Sequence, residues 1–283
     1  MNIFETTIFA VMKRPFIIIM IGILMLAAAV ANAFIPVIAM IMGIINMTGG
    51  GIFEGILSIL QMLIDPGVIP TVLAVLAVFA LVVSIAAGLL LPGYLLVVRD
   101  SIIKGDKKRG LFLAGLKTYF IRVFLITVRA ILFTALLAIF LMVAGVPAII
   151  VTKAALTTRQ NLMLAAVFID IVTIGVLFMC LSFFKAYMFM WFLAAADGMA
   201  KPFKAGKSIA DRSFWKLAFG MLAFDAVFVA AIFTIYLSSN QLFRYAAGWV
   251  FATGFFTIFA VYLVQIFRDG SQKAGIRNRD IDG

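Results

Sequence analysis

The sequence predicts an all-α integral membrane protein. Six transmembrane helices form three hairpins, joined by basic amphipathic interfacial segments, with both termini cytoplasmic. Four observations predict it. Hydrophobic residues fill 65% of 283 positions and mean hydropathy is +1.21, against about 45–50% apolar residues in a soluble domain. Several apolar runs reach the ~20 residues that cross a ~30 Å hydrocarbon core. Period-2 alternation is missing, which argues against an outer-membrane barrel. Finally, three apolar runs end in Asp with Lys four residues later: Asp100–Lys104, Asp197–Lys201 and Asp269–Lys273.

The stretch Asn2 to Met12 sets Ile3, Phe4, Ile8 and Phe9 against Glu5, Thr6 and Thr7. It reads as a short amphipathic helix in the interface. Lys13 and Arg14 follow, and no charge then appears from Pro15 to Phe53. The first span starts at Pro15, with Pro36 expected to kink it. Lys13-Arg14, the apolar stretch and Ala31-Asn32-Ala33 mimic a secretory signal. The apolar run continues past that site, so cleavage is not expected. Gly49-Gly50-Gly51 is a hinge, and Glu54, Ser58, Gln61 and Asp65 form the polar stripe of a helix lying on the membrane. Asp65-Pro66-Gly67 ends it.

The second span runs from Pro70 to about Val98, and Gly88, Pro92 and Gly93 are expected to bend it. Arg99 to Arg122 is the most basic stretch and suggests another interfacial helix. The third span is Val123 to about Gly145, with Val146 to Asn161 an outer loop. The fourth is Leu162 to about Ala196. Lys201 to Lys216 is again basic. The fifth span is Phe214 to Leu237, a short turn follows, and the sixth is Ala246 to Phe267. The hairpin repeats are thus about 1–98, 99–197 and 198–268, one transmembrane domain, with a polar tail over 269–283.

Orientation follows from Lys and Arg. With the N-terminus inside, the inner segments hold eighteen and the outer loops only Lys153, Arg159 and Arg244. Both termini are therefore expected in the cytoplasm of a prokaryotic cell, with the protein in its plasma membrane.

The net charge of +11 does not point to nucleic acid, because the bases sit at the ends of apolar runs. There they meet anionic lipid headgroups. Lys104, Lys107, Lys108, Arg109, Lys201, Lys204 and Lys207 are the expected headgroup contacts. Cys180 is the only cysteine and histidine is absent. That removes an intrachain disulfide, Ser-His and Cys-His catalysis, and histidine metal sites. No cofactor or metal is expected. The bilayer is the expected partner, with a membrane-protein partner or homo-oligomer left open.

Each hairpin is entered through a basic, aromatic segment: Lys13-Arg14-Pro15-Phe16, Tyr119 to Phe124, and Phe214 to Phe219. Each exit Asp is expected to cap the following interfacial helix and to pair with the Lys four residues on. Asp197 to Lys216, with its Lys-Ser-Ile-Ala-Asp-Arg-Ser-Phe-Trp run, and the similar Arg99 to Phe124 block resemble poorly characterised prokaryotic membrane proteins. These are the membrane domain found beside glycerophosphodiester phosphodiesterases and its stand-alone relatives. The resemblance covers the second and third hairpins and implies a six-helix membrane fold. It brings no catalytic residue across.

Three charges lie well inside spans: Arg129, Asp170 and Asp225. Insertion scales put each at ~2.5–3.5 kcal/mol near the centre of a lone helix. Helical rise places Arg129 about 8–10 Å above the inner surface and Asp225 about 15 Å up. An Arg129–Asp225 pair is therefore expected, with Asp170 one turn further out, as a lock between the third and fifth spans. A proton site at one Asp is the functional alternative. The expected function is non-enzymatic: a transporter-like or accessory subunit handling lipid or lipid-like molecules. A membrane-embedded enzyme, aspartyl protease-like through Asp170 and Asp225 or lipid-modifying, is the alternative, as is a structural subunit. A polar cavity around Arg129 would favour transport; a dry core with a large exposed apolar face would favour the subunit.

Overall fold

The computed structural model of the chain describes residues 3–34, 61, 65–102, 108–157 and 160–273, and every regular element among them is helical. The elements are α1 (Ile3–Lys13), α2 (Phe16–Phe34), α3 (Ile69–Ile102), α4 (Leu111–Thr157), α5 (Met163–Ala196), α6 (Pro202–Tyr236) and α7 (Gln241–Lys273). A 3₁₀ turn, Gln160–Leu162, precedes α5. Five helices, α3 to α7, are each long and apolar enough to cross a membrane. The pair α1–α2, bent by 94°, makes a sixth if counted as one broken span. The protein is membrane-embedded and helical.

The bend follows from Arg14-Pro15. A residue before proline is disfavoured in the α region, so α1 stops. Proline lacks an N–H, which is no loss at the start of a helix, so α2 begins beyond it. The ladder bridges the break through Arg14 N–H to Ala10 C=O (2.9 Å) and Ile17 N–H to Arg14 C=O (3.1 Å). Asp65-Pro66-Gly67 turns the chain into α3, with Gly67 N–H donating to Asp65 Oδ1 at 2.9 Å. The α5–α6 turn closes as a Schellman motif. Met199 N–H donates to Ala194 C=O and Gly198 N–H to Ala195 C=O, both at 3.1 Å, with Gly198 at φ +79°.

Several expected boundaries move. The basic segment Leu111–Phe120 is not a separate interfacial helix but the start of α4. The outer loop expected at Val146–Asn161 is helix as far as Thr157. Pro147 lies inside α4, where a proline removes one ladder bond without ending the helix. At 47 residues α4 is ~70 Å long. Likewise the basic stretch from Pro202 is continuous with the fifth span in α6. Pro36, Gly49 to Gly51 and most of the expected membrane-surface helix lie outside the described residues.

The chain packs as two compact units. One is Met1–Ala31, Ser84–Thr127 and Phe183–Gly283; the other is Asn32–Val83 and Val128–Ser182. The first holds the main core: Ile17, Val98, Met190, Ile209, Leu217, Val261 and Ile266 are almost wholly buried. Here α6 and α7 are joined by a run of rings, with Phe224 meeting Phe255, Phe259 and Tyr262 at 5.1–5.6 Å. Close approach needs glycine, as is common between membrane helices. A Cβ on Gly93 of α3 would lie 2.5 Å from the Phe112 carbonyl oxygen, and one on Gly206 of α6 would lie 2.8 Å from the Met190 backbone. Gly88 and Gly93 thus serve the α3–α4 contact. Among the described residues of the second unit the buried side chains are small: Ala80, Ala130, Ala148, Ala155 and Ala166. Large apolar residues such as Leu136, Phe140 and Ile171 face outward, as lipid contact requires.

Candidate functional site

The first unit gathers charge at the helix ends. Asp100 lies in the last turn of α3, Asp269 in the last turns of α7, and Asp197 directly after α5. A carboxylate is unfavourable beside the carbonyl-rich end of a helix, so each needs a cation. Arg14 Nη2 donates to Asp100 Oδ2, and both side chains are largely buried. Arg99 Nη1 donates to Asp197 Oδ1. Lys216 Nζ lies 3.6 Å from Asp269 Oδ2 in an exposed pair. Arg122 Nη1 donates to the Gly198 carbonyl, one residue past Asp197. Arg14, Arg122 and Lys216, the entry bases of the three hairpins, therefore each touch the exit turn of their own hairpin.

This corrects the expected capping. The N-cap of α6 is Lys201, without a side-chain bond, so Asp197 does not cap it. Asp100 and Asp269 end helices rather than begin them. The bases seen to pair with them, Arg14 and Lys216, lie far along the chain. A base on a neighbouring helix instead reaches the carboxylate across the packing interface. Lys104 and the Lys273 side chain lie outside the described residues.

The expected intramembrane cluster divides. Asp225 on α6 accepts from Lys185 Nζ on α5 at 2.6 and 2.7 Å, in place of the expected Arg129. Asp170 on α5 accepts from Thr152 Oγ1 of α4 at 2.9 Å through both oxygens. Arg129 is exposed on α4. Height along the helices was countable; direction around the axis was not, and direction selected Lys185. The signal was present, since Lys185 and Asp170 are the only charges in α5. Asp170 and Asp225 each find a partner within their own unit. A further polar contact, Tyr187 OH to Asp211 Oδ1, ties α5 to α6.

Of the expected headgroup contacts, Lys108, Arg109, Lys201, Lys204 and Lys207 are exposed. Lys201, Lys204 and Lys207 recur every three residues, opposite the buried Gly206, Ile209 and Ala210 of α6. Lys104 and Lys107 lie outside the described residues.

Three cavities accompany these charges, all in the first unit; Arg129 lines none of them. A space of about 20 Å³ sits between Arg99, Asp197, Leu193 and Phe267, room for one water. A cavity of about 290 Å³ is lined by Arg14, Phe16, Val97 and Gly110 to Leu113. An apolar groove of about 550 Å³ runs between α2 (Ile18, Ile19, Gly22, Ile23, Leu26) and α7 (Trp249, Val250, Thr253, Gly254). Trp249 Nε1–H donates to the Gly22 carbonyl at 2.9 Å and braces its floor. No family model, curated protein or solved structure matches this chain.

Proposed function

We infer that this chain is a non-enzymatic, multi-pass protein of a prokaryotic plasma membrane that handles lipid, as a transporter-like or accessory subunit. The apolar groove between α2 and α7 carries this reading. At about 550 Å³ it falls within the ~300–1,000 Å³ of small-molecule sites. Apart from Thr253 and the Trp249 indole it is lined by aliphatic side chains and glycine, so an acyl chain suits it better than a polar solute. The exposed bases at Lys108, Arg109, Lys201, Lys204 and Lys207 support a cytoplasmic, anionic-lipid-facing end. The resemblance to the membrane domain beside glycerophosphodiester phosphodiesterases sits in the same lipid setting.

Purification of the full chain in mild detergent, followed by lipid extraction and mass spectrometry, tests it. A defined lipid should remain with the native chain. Gly254→Phe should displace it, because a Cβ at Gly254 meets nothing within 4 Å and a ring there occupies the groove. Equal lipid retention in the variant rejects the groove. Topology is tested separately: a Lys204→Cys thiol should resist impermeant reagents applied outside intact cells.

A structural-subunit reading has one observation in its favour. The Lys185–Asp225 pair is 34% and 54% exposed by side chain, although both residues lie on membrane-length helices. Exposed charge is costly in hydrocarbon, so a partner helix would cover it. Site-directed crosslinking from position 222, with Leu222 exposed on the same helix, tests that cover.

A further inference from the structure

One of the cavities lies at the start of α4. It opens where Gly110, at φ +73°, leads into α4. The first helical bond of α4 is Ala114 N–H to Gly110 C=O at 3.0 Å. The N–H groups of Leu111, Phe112 and Leu113 precede a helical acceptor, and no described residue accepts from them. All three residues line the cavity. Three such amides at the positive end of a 47-residue helix favour an anion.

A second observation is independent of the helix. Arg14 lines the same cavity and is 6% exposed. Its Nη2 donates to Asp100 and to the Lys108 carbonyl at 2.6 Å. Its Nε, a donor, is buried with no hydrogen-bond partner among the described residues. A buried donor left unmade costs ~1–3 kcal/mol, so an acceptor supplied by a ligand would recover that. Lys108 and Arg109, both exposed, directly precede Gly110 of the cavity wall, and Lys13 Nζ donates to the Asp100 carbonyl at 3.0 Å. Four described bases thus lie in the segments adjoining the cavity, with one described acid, Asp100. The remaining walls are Phe16, Val97, Leu111, Phe112 and Leu113, with Phe16 edge-on to Phe112 at 5.5 Å.

We propose that this cavity binds a phosphate group, held by the amides of Leu111 to Leu113, for which no described residue is an acceptor, and by the Arg14 guanidinium. The inference deepens the lipid-handling reading. Phe16 of the cavity and Ile19 and Ile23 of the groove recur at i, i+3 and i+7 on α2, hence on one face. A phosphate headgroup in the cavity could thus be continuous with a chain in the groove. The same chemistry would also take free phosphate.

The test uses the full-length protein in detergent with two probes: phosphatidylglycerol micelles against phosphatidylcholine micelles, and inorganic phosphate against chloride at equal ionic strength. Thermal unfolding and native mass spectrometry read binding. Phosphatidylglycerol should raise Tm and appear as a bound adduct, and phosphatidylcholine should do so weakly. Inorganic phosphate alone giving the shift would assign the site to free phosphate. Leu113→Glu should abolish both responses at least tenfold, since its carboxylate takes the helix amides and repels the anion. An acid in the first turn favours the helix, so this variant should fold, and Leu113→Gln should retain most binding. Absence of any response to both probes overturns the proposal, as does binding undiminished in Leu113→Glu and in Arg14→Gln. The phosphate arm reads the cavity alone, and Gly254→Phe reads the groove alone, so failure of one is distinguishable from failure of the other.

Discussion

Arg14 reaches across 86 positions of chain to donate to Asp100. It joins the α1–α2 bend to the last turn of α3. Two features that look unrelated in the sequence, a base before a proline and an acid at the end of an apolar run, are one buried contact.

The three exit aspartates look alike in sequence but differ in burial, so their removal should differ. Asp100→Ala leaves Arg14 buried and uncompensated, and breaking a buried pair costs about 3–5 kcal/mol. Asp197→Ala should cost less than Asp100→Ala, because the Arg99 it leaves behind is 36% exposed by side chain and water screens it. The Lys216–Asp269 pair is exposed and 3.6 Å long, so Asp269→Ala should cost about 0–1 kcal/mol. Thermal unfolding in detergent, followed by tryptophan fluorescence, checks the order. A larger loss in Asp269→Ala than in Asp100→Ala would contradict it.

The same substitution should have opposite signs at two glycines. Gly198 sits at φ +79°, and a Cβ there lies 2.7 Å from the Tyr119 ring. Gly198→Ala should destabilise by at least the about 1–2 kcal/mol of left-handed strain. Gly145 is inside α4 and open around its Cβ position. Gly145→Ala should be neutral or stabilising by up to about 1 kcal/mol. Paired melting curves decide, and equal losses at the two sites would be the contrary result.

Gly220 packs under Tyr262, whose hydroxyl donates to the Lys216 carbonyl at 2.8 Å. An added Cβ would collide with the Tyr262 hydroxyl and with the ring carbon that bears it. Gly220→Ala should therefore lower stability by about 1–3 kcal/mol through overpacking. Combining it with Tyr262→Leu should recover part of that loss, since the obstructing ring is gone. A double variant no better than the sum of the singles would show that the two residues are not coupled.

Lys185 and Asp225 should also be coupled. Either Lys185→Met or Asp225→Leu alone leaves one charge on a membrane-length helix, at a cost of ~2.5–3.5 kcal/mol by insertion scales. The double replacement removes both charges and should be milder than the worse single. Expression level and melting temperature across the four chains measure the coupling. Additive losses would mean that the pair contributes nothing.

Much of the fold was legible in the residues. The beginning of α1, the break at Arg14-Pro15, the extent of α5 and the turn after Asp197 lie close to where composition and punctuation put them. The errors share a cause. The basic stretches leading into α4 and α6 are polar on one side only, and polarity marks where a helix meets water, not where it ends. Their backbones continue because the glycines within them, Gly115 and Gly206, keep helical geometry and sit where neighbouring chain packs close. The charged trio was misjudged for a related reason. Counting 1.5 Å per residue yields height, while partner choice depends on which face a side chain occupies.

Hydrophobic content and run length by themselves determined that this protein is helical and embedded in a membrane, since unpaired backbone cannot be exposed to hydrocarbon. They also marked the charges at the ends of its rods. Only tertiary structure decided which charges meet: Arg14 with Asp100, Arg99 with Asp197, Lys185 with Asp225. Only packing also created the groove on α2 and the cavity at the start of α4. Linear order specifies what a side chain is, but contact requires helix rotation and crossing, and those are set by how closely glycine and alanine let neighbouring backbones approach.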